Sequence, residues 1–113
     1  MTTPHRIAAI PGDGIGKEVM PEGLRTLQAA ATRFAIPLEI TPIAWASCDH
    51  YQQTGQMMPD DWKAQIGGMD AILFGAVGDP DCDALERHLR PEQAILGLRK
   101  ELGLFSNLRP AKV

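Results

Sequence analysis

The junction between a short apolar run, Arg6-Ile7-Ala8-Ala9-Ile10, and the turn Pro11-Gly12-Asp13-Gly14-Ile15-Gly16 limits the fold more than any other feature. An apolar run bounded by proline and glycine reads as a buried strand entering a tight turn. A helix is expected next. From Lys17 to Phe34 the positions Val19, Leu24, Leu27, Ala31 and Phe34 recur at steps of three to five, which predicts an amphipathic stripe facing a sheet. Pro21 falls early in that helix, in the first turn, where proline is tolerated.

The segment from Ile36 to Ala46, with Leu38, Ile40 and Ile43 and with Pro37 and Pro42 near its edges, predicts a second strand. Pro59-Asp60-Asp61 predicts the opening of a short helix to about Ile66, stopped by Gly67-Gly68. Asp70-Ala71-Ile72-Leu73-Phe74-Gly75 reads as a third, buried strand, turned by Gly75-Ala76-Val77-Gly78. After a polar loop from Asp79 to Arg90, Pro91 opens a helix to about Leu102 and Gly103 ends it. Phe105 to Val113 alternates as a fourth strand would. Alternating strands and helices, β-α-β-α-β-α-β, define an α/β fold. No internal repeat or low-complexity stretch interrupts that order.

Composition narrows the partners. With 113 residues, 44% of them apolar, and a net charge of -3, the chain reads as one small globular unit or part of one. Lysines and arginines are spread from Arg6 to Lys112 without a basic stripe, which argues against nucleic acid. No run reaches the roughly 20 apolar residues of a membrane span, and the first residues carry no signal-peptide pattern, so a cytoplasmic location is expected. Cys48 and Cys82 are the only cysteines, 34 positions apart, and reduced thiols are expected of them, with Cys82 inert. No multi-thiolate zinc site can be assembled from two.

The glycine turn sits where a phosphate cradle would, after a strand and before a helix. Its spacing does not fit the common cradles. A dinucleotide fingerprint from Gly12 needs glycine at Lys17, and a Walker A loop ending in Gly16-Lys17 needs glycine at Pro11 and a hydroxyl at Glu18. Taken alone, the turn reads as close backbone packing. Asp79, Asp81 and Asp83 alternate as in a calcium loop, but that loop wants glycine at Ala84 and glutamate at Arg90, so a solvated acidic loop is expected. His5, His50 and His88 lack paired spacing and are expected in surface or capping roles, and Met57 and Met58 are expected to fill the core.

The helix after Pro91 carries more chemistry. Glu92, Ile95, Leu96 and Arg99 stand at i, i+3, i+4 and i+7, so one face bears a carboxylate, two branched apolar groups and a guanidinium. On the expected last strand Asn107, Arg109 and Ala111 share a side, and two arginines at one cleft can clamp carboxylates bidentately. Spacing alone equally allows ordinary surface arginines.

Several segments together resemble the N-terminal part of the β-decarboxylating dehydrogenases, the family of isocitrate, 3-isopropylmalate, tartrate and D-malate dehydrogenases. They are IAAIPGDGIGKEV at 7 to 19, MMPDD at 57 to 61, DAILFGAVG at 70 to 78 and RPEQAILGLRKELGLFSNLRPAKV at 90 to 113. The last is most similar to 3-isopropylmalate dehydrogenases. Trp45-Ala46-Ser47-Cys48 with Tyr51 and MMPDD instead resembles the tartrate and D-malate branch. Where isopropylmalate enzymes carry Gly-Pro-Lys-Trp after GAVG, this chain has Asp79-Pro80-Asp81-Cys82.

The resemblance implies the isopropylmalate dehydrogenase-like fold, not a classical Rossmann fold, with residues 1–113 as an incomplete N-terminal portion of the larger domain. Residues 104–113 would be a strand leading toward the remainder. It implies NAD-dependent oxidative decarboxylation of a malate-type 2-hydroxy dicarboxylic acid: hydride passes to NAD, and the β-carboxylate leaves as carbon dioxide with Mg²⁺ or Mn²⁺ on the 2-oxo group. The parent would be a homodimer without nucleic-acid or membrane partners. By position Arg99 and Arg109 would bind substrate carboxylates, Ile95 and Leu96 would face its variable substituent, and Glu92 with the loop from Gly78 would border the cofactor. The metal ligands and the proton-handling lysine and tyrosine would lie downstream of Val113, so the isolated chain is expected to be inactive. 3-Isopropylmalate is the expected substrate, with tartrate or D-malate as the alternative, and a non-catalytic fragment acting in binding or assembly as the alternative from another class.

Overall fold

Strand β1 (His5–Gly12) lies between β2 (Leu38–Pro42) and β3 (Ala71–Ala76), pairing in parallel with both to give the order β2-β1-β3. The computed structural model describes residues 3–86 and 89–113; the role expected of His88 lies outside the described residues. Ile7 stands opposite Ile40 and Ala71, and Ile10 opposite Phe74. The central position explains why Ala8, Ala9 and Ile10 are all buried, since a parallel strand covered on both faces reads as a continuous apolar run.

Helix α1 (Ile15–Arg33) packs on β1 and β3. It starts two residues before the expected position, so Pro21 lies inside the second turn, where its missing N–H leaves the Lys17 carbonyl without an intrahelical donor. The core-facing stripe also differs from the expected one. Gly16, Met20 and Ala31 are buried and Leu24 and Leu27 half-buried, whereas Val19 is 48% and Phe34 68% exposed. The observed set keeps a strict helical period anchored at Gly16, where an added Cβ would meet the Pro11 carbonyl oxygen at 2.0 Å. Backbone contact at a glycine sets the helix's rotation, and Val19 and Phe34 fall on its flank.

β2 is shorter than the expected strand, and the chain leaves the sheet after the Ile43 N–H bonds the Ala9 carbonyl at 2.8 Å. Ile43, Trp45 and Ala46 then turn inward, with the Trp45 indole N–H donating to Gln65 Oε1 at 2.9 Å. A helix not expected from the sequence follows, α2 (Cys48–Thr54), whose Ser47 Oγ accepts the His50 N–H at 3.1 Å and whose chain ends at left-handed Gly55. Pro59-Asp60-Asp61 forms a turn that precedes α3 (Trp62–Ile66) instead of opening it. Helix α4 (Glu92–Glu101) begins after buried Pro91.

The fourth strand expected over 104–113 does not form among the described residues: the whole segment is exposed and pairs with no strand. Its alternating pattern meets no neighbouring ladder here, and Phe105 stands 98% exposed. The core gathers Ala8, Ile10, Ile43, Trp45, Ile66 and Leu98, with Met57 and Met58 packed against it as expected.

The thiols expected to be free are instead joined. Cys48 and Cys82 form a disulfide with Cα atoms 6.0 Å apart, inside the bridgeable range. Their separation in sequence conceals that the start of α2 and the loop after β3 converge on the end of β1. None of the described helices is long and apolar enough to cross a membrane.

Candidate functional site

In the order β2-β1-β3 the chain leaves β1 to one side for β2 and returns on the other for β3. The crevice outside the carboxyl ends of β1 and β3 is therefore a topological switch point, the place where open α/β sheets take ligands. Three loops meet there around one residue that the sequence did not single out. Asp13 is 2% exposed, and its carboxylate accepts the Cys48 N–H at 2.8 Å on Oδ1 and the Gly78 N–H at 3.1 Å on Oδ2. Its own N–H donates to the Ala76 carbonyl at 2.6 Å. One carboxylate thus ties the turn after β1 to the start of α2 and to the loop after β3 through charge-assisted hydrogen bonds.

The glycine turn serves close packing at Gly12. Its φ is 79°, and an added Cβ would come within 1.9 Å of the Ala76 carbonyl oxygen, so the end of β1 lies directly on β3. On the far side of the crevice Gly78 adopts φ 118°, and Glu92 Oε1 lies 3.5 Å from where a Cβ on Gly78 would stand. Two of the sequence-derived site residues, Gly78 and Glu92, are thereby brought to one rim. Glu92 is exposed in the first turn of α4.

The mixed face of α4 divides. Ala94 and Leu98 point into the core, Ile95 is half-buried, and Leu96 is 50% exposed. Ile95 and Arg99 line a hollow of about 160 Å³ with Ile72, Phe74, Leu98 and Leu104. Arg99 also borders a hollow of about 450 Å³ formed with residues from Leu104 to Leu108. Arg109 lines neither; its Nε donates to Asn107 Oδ1 at 3.3 Å. Arg99 therefore meets the tail, but the two arginines are not seated together in either hollow.

Toward β2, Lys17, Asp49, His50 and Ser47 border a hollow of about 260 Å³. Lys17 forms an ion pair with Asp49, whose hydrogen bond holds the ammonium pKa above its ordinary value against a partial loss of hydration. His50 lines this hollow beside Asp49. Among the described residues no group of three His, Cys, Asp or Glu side chains could hold a metal ion. The alternating acids behave as a solvated loop, with the Asp79 carboxylate accepting the Asp81 N–H at 2.9 Å to start a 3₁₀ turn, Pro80–Cys82.

The profile of the isocitrate/isopropylmalate dehydrogenase family matches residues 6–113. Over 108 residues, 96% of its length, the chain is 52% identical to the D-malate dehydrogenase (decarboxylating) of Escherichia coli, covering 29% of that protein. It is 50% identical to the tartrate dehydrogenase/decarboxylase of Pseudomonas putida, again covering 29% of the relative. It is 53% identical to the 3-isopropylmalate dehydrogenase of Novosphingobium aromaticivorans, covering 30%. The chain spans less than a third of the length of these relatives. A crystal structure of a β-decarboxylating dehydrogenase from Thermococcus kodakarensis superposes with a TM-score of 0.63 at 34% identity, over 89% of this chain and 27% of that one. With the parallel sheet, the switch-point crevice and a family match over nearly its whole length, the chain belongs to the isocitrate/isopropylmalate dehydrogenase family.

Proposed function

We propose that the complete protein carries out NAD-dependent oxidative decarboxylation of a malate-type 2-hydroxy acid, with 3-isopropylmalate as its preferred substrate and this chain forming one wall of the cleft. The observation that most supports a malate-type acid is the near-equal similarity, 50–53% over 108 residues, to three enzymes named for D-malate, tartrate and 3-isopropylmalate; the preference for 3-isopropylmalate rests on the segment at 90 to 113. NAD, when bound, supplies the acceptor for the hydride released from the hydroxyl-bearing carbon.

The rim residues fit such a cofactor. Glu92 offers an acceptor carboxylate to a carboxamide or ribose hydroxyl, and Gly78, without a side chain, lets a ligand approach its backbone closely. Arg99 and Arg109 hold the substrate carboxylates, each fork able to take two oxygens. For Arg109 this requires the 104–113 segment to be ordered as a strand leading into the rest of the larger domain. Ile95 and Leu96 present an apolar wall to the substituent beside the hydroxyl-bearing carbon, where a carboxylate would lose hydration without a partner. Among the described residues no group of three His, Cys, Asp or Glu fits a divalent cation; in this reading the Mg²⁺ or Mn²⁺ is held by residues outside this chain, and the isolated chain is inactive. Homodimer assembly and a cytoplasmic location belong to the same reading.

The test is a comparison of kcat/KM for isopropylmalate, D-malate, tartrate and isocitrate in the complete protein. Isopropylmalate should lead, and Ile95→Ala with Leu96→Ala should lower its value roughly tenfold or more, at about 0.8 kcal/mol per buried methylene, while D-malate turnover stays nearly unchanged. Arg109→Ala should damage both. A lead for D-malate or tartrate would establish the second reading, favoured by the Trp45-Ala46-Ser47-Cys48 segment and MMPDD. Absence of turnover with every acid would leave the non-catalytic binding or assembly role.

A further inference from the structure

We propose that Cys48 and Cys82 form a reversible dithiol–disulfide latch that governs how firmly the segment from Gly78 to Glu86 is held against the switch-point crevice. Cys48 opens α2, and Cys82 closes the 3₁₀ turn just beyond Gly78. The bridge therefore spans the same two segments that the Asp13 carboxylate holds through the Cys48 and Gly78 amides. The hydrogen bonds of the loop itself run inward: the Cys82 N–H bonds Asp79, the Asp83 N–H bonds Pro80 and the Leu85 N–H bonds Cys82. To the attachment at Gly78 the disulfide adds a covalent tie between this segment and the start of α2.

Both cysteines are buried, while Pro80, Asp81, Asp83 and Ala84 around Cys82 are exposed. Exchange therefore needs the loop to lift. A dithiol reductant attacks one sulfur as a thiolate, the S–S bond breaks, and the other cysteine leaves as a thiolate that takes a proton. The reductant's second thiol then displaces the first cysteine and closes its own disulfide. Two electrons and two protons pass to Cys48 and Cys82, and a low-molecular-weight disulfide reverses the step. Sparse disulfides in reducing compartments are characteristically of this switching kind.

The consequence for the site rests on the cofactor reading above: in the oxidised state Gly78 stands pre-ordered beside Glu92, and in the reduced state the rim is held by Asp13 without the covalent anchor.

The complete protein is equilibrated in glutathione buffers of graded redox ratio, its free thiols are counted by alkylation and mass, and amide hydrogen exchange is followed over 78–86 and 48–54. The two thiols should disappear together on oxidation, and exchange over 78–86 should slow about tenfold or more. In Cys48→Ser/Cys82→Ser, exchange should match the reduced protein at every ratio. If that variant does not fold, the oxidised and reduced wild-type protein supply the same comparison. Thiols that stay free at every ratio, or loop exchange that is equal in the two states, would overturn the latch. NAD affinity, measured alongside, separates the two readings: a redox-dependent loop in a protein that never binds NAD upholds the latch and sinks the cofactor assignment.

Discussion

Replacing Asp13 by alanine leaves the Cys48 and Gly78 amides without their acceptor in a place where water has little access. An orphaned buried donor costs about 1–3 kcal/mol, so Asp13→Ala should destabilise the protein by roughly 3 kcal/mol, and Asp13→Asn, which keeps one carbonyl acceptor, by clearly less. Urea melts of the two variants check the order; equal costs would show that the carboxylate is not bridging. Nothing in Gly12-Asp13-Gly14 distinguishes this buried carboxylate from a solvated turn residue, because its partners come from two distant segments. The glycines beside it were more legible, since packing of the end of β1 on β3 is the reading the turn supports by itself. Gly78 and Glu92, expected at one site through family resemblance, do stand together.

At the level of elements, α4 is fixed to α3 by an ion pair between Lys63 Nζ and Glu101 Oε2 at 2.7 Å. The hydrogen bond and charge of Lys63 hold the Glu101 pKa below its ordinary value. A carboxylate depressed on folding contributes stability that is present above its unfolded pKa and lost as the pH falls through the folded one. The stability difference between wild type and Glu101→Gln should therefore be constant near neutrality and vanish in acid below the ordinary glutamate range. Thermal melts over that range at low salt check it; a difference that grew on acidification would contradict the pairing. The Lys17–Asp49 pair has the opposite sign, present below the ordinary lysine pKa and lost only as the pH rises through the raised one. β3, expected as a buried strand, forms where its apolar run predicts but lies at an edge, half-buried with Ala71 exposed; β1 was readable because local pattern and burial coincide. Helix α2 was not: its signals are one serine cap and one left-handed glycine around a polar stretch, too weak without the disulfide and the Asp13 contact at Cys48 that hold it in place.

For the whole molecule, a three-stranded parallel sheet with outer edges at β2 and β3 is thin, and parallel sheets are stable when both faces are covered. Phe34, Leu104, Phe105 and Leu108 are exposed, most of them in the unpaired tail. The 113-residue chain by itself should bind an apolar dye or self-associate through its open edges. Dye fluorescence and sedimentation at several concentrations check this, and a monodisperse monomer with a sharp melt and no dye binding would refute it. By itself the sequence determined the α/β layering, the close-packed turn after β1 and the family, because apolar periodicity and glycine spacing act over a few residues and survive any packing. Only the tertiary structure decided the rotation of α1 about Gly16, the joining of Cys48 to Cys82, the role of Asp13 and the failure of residues 104–113 to form a strand. Each of these depends on what another segment brings to within a few ångströms, and chain distance carries no information about that.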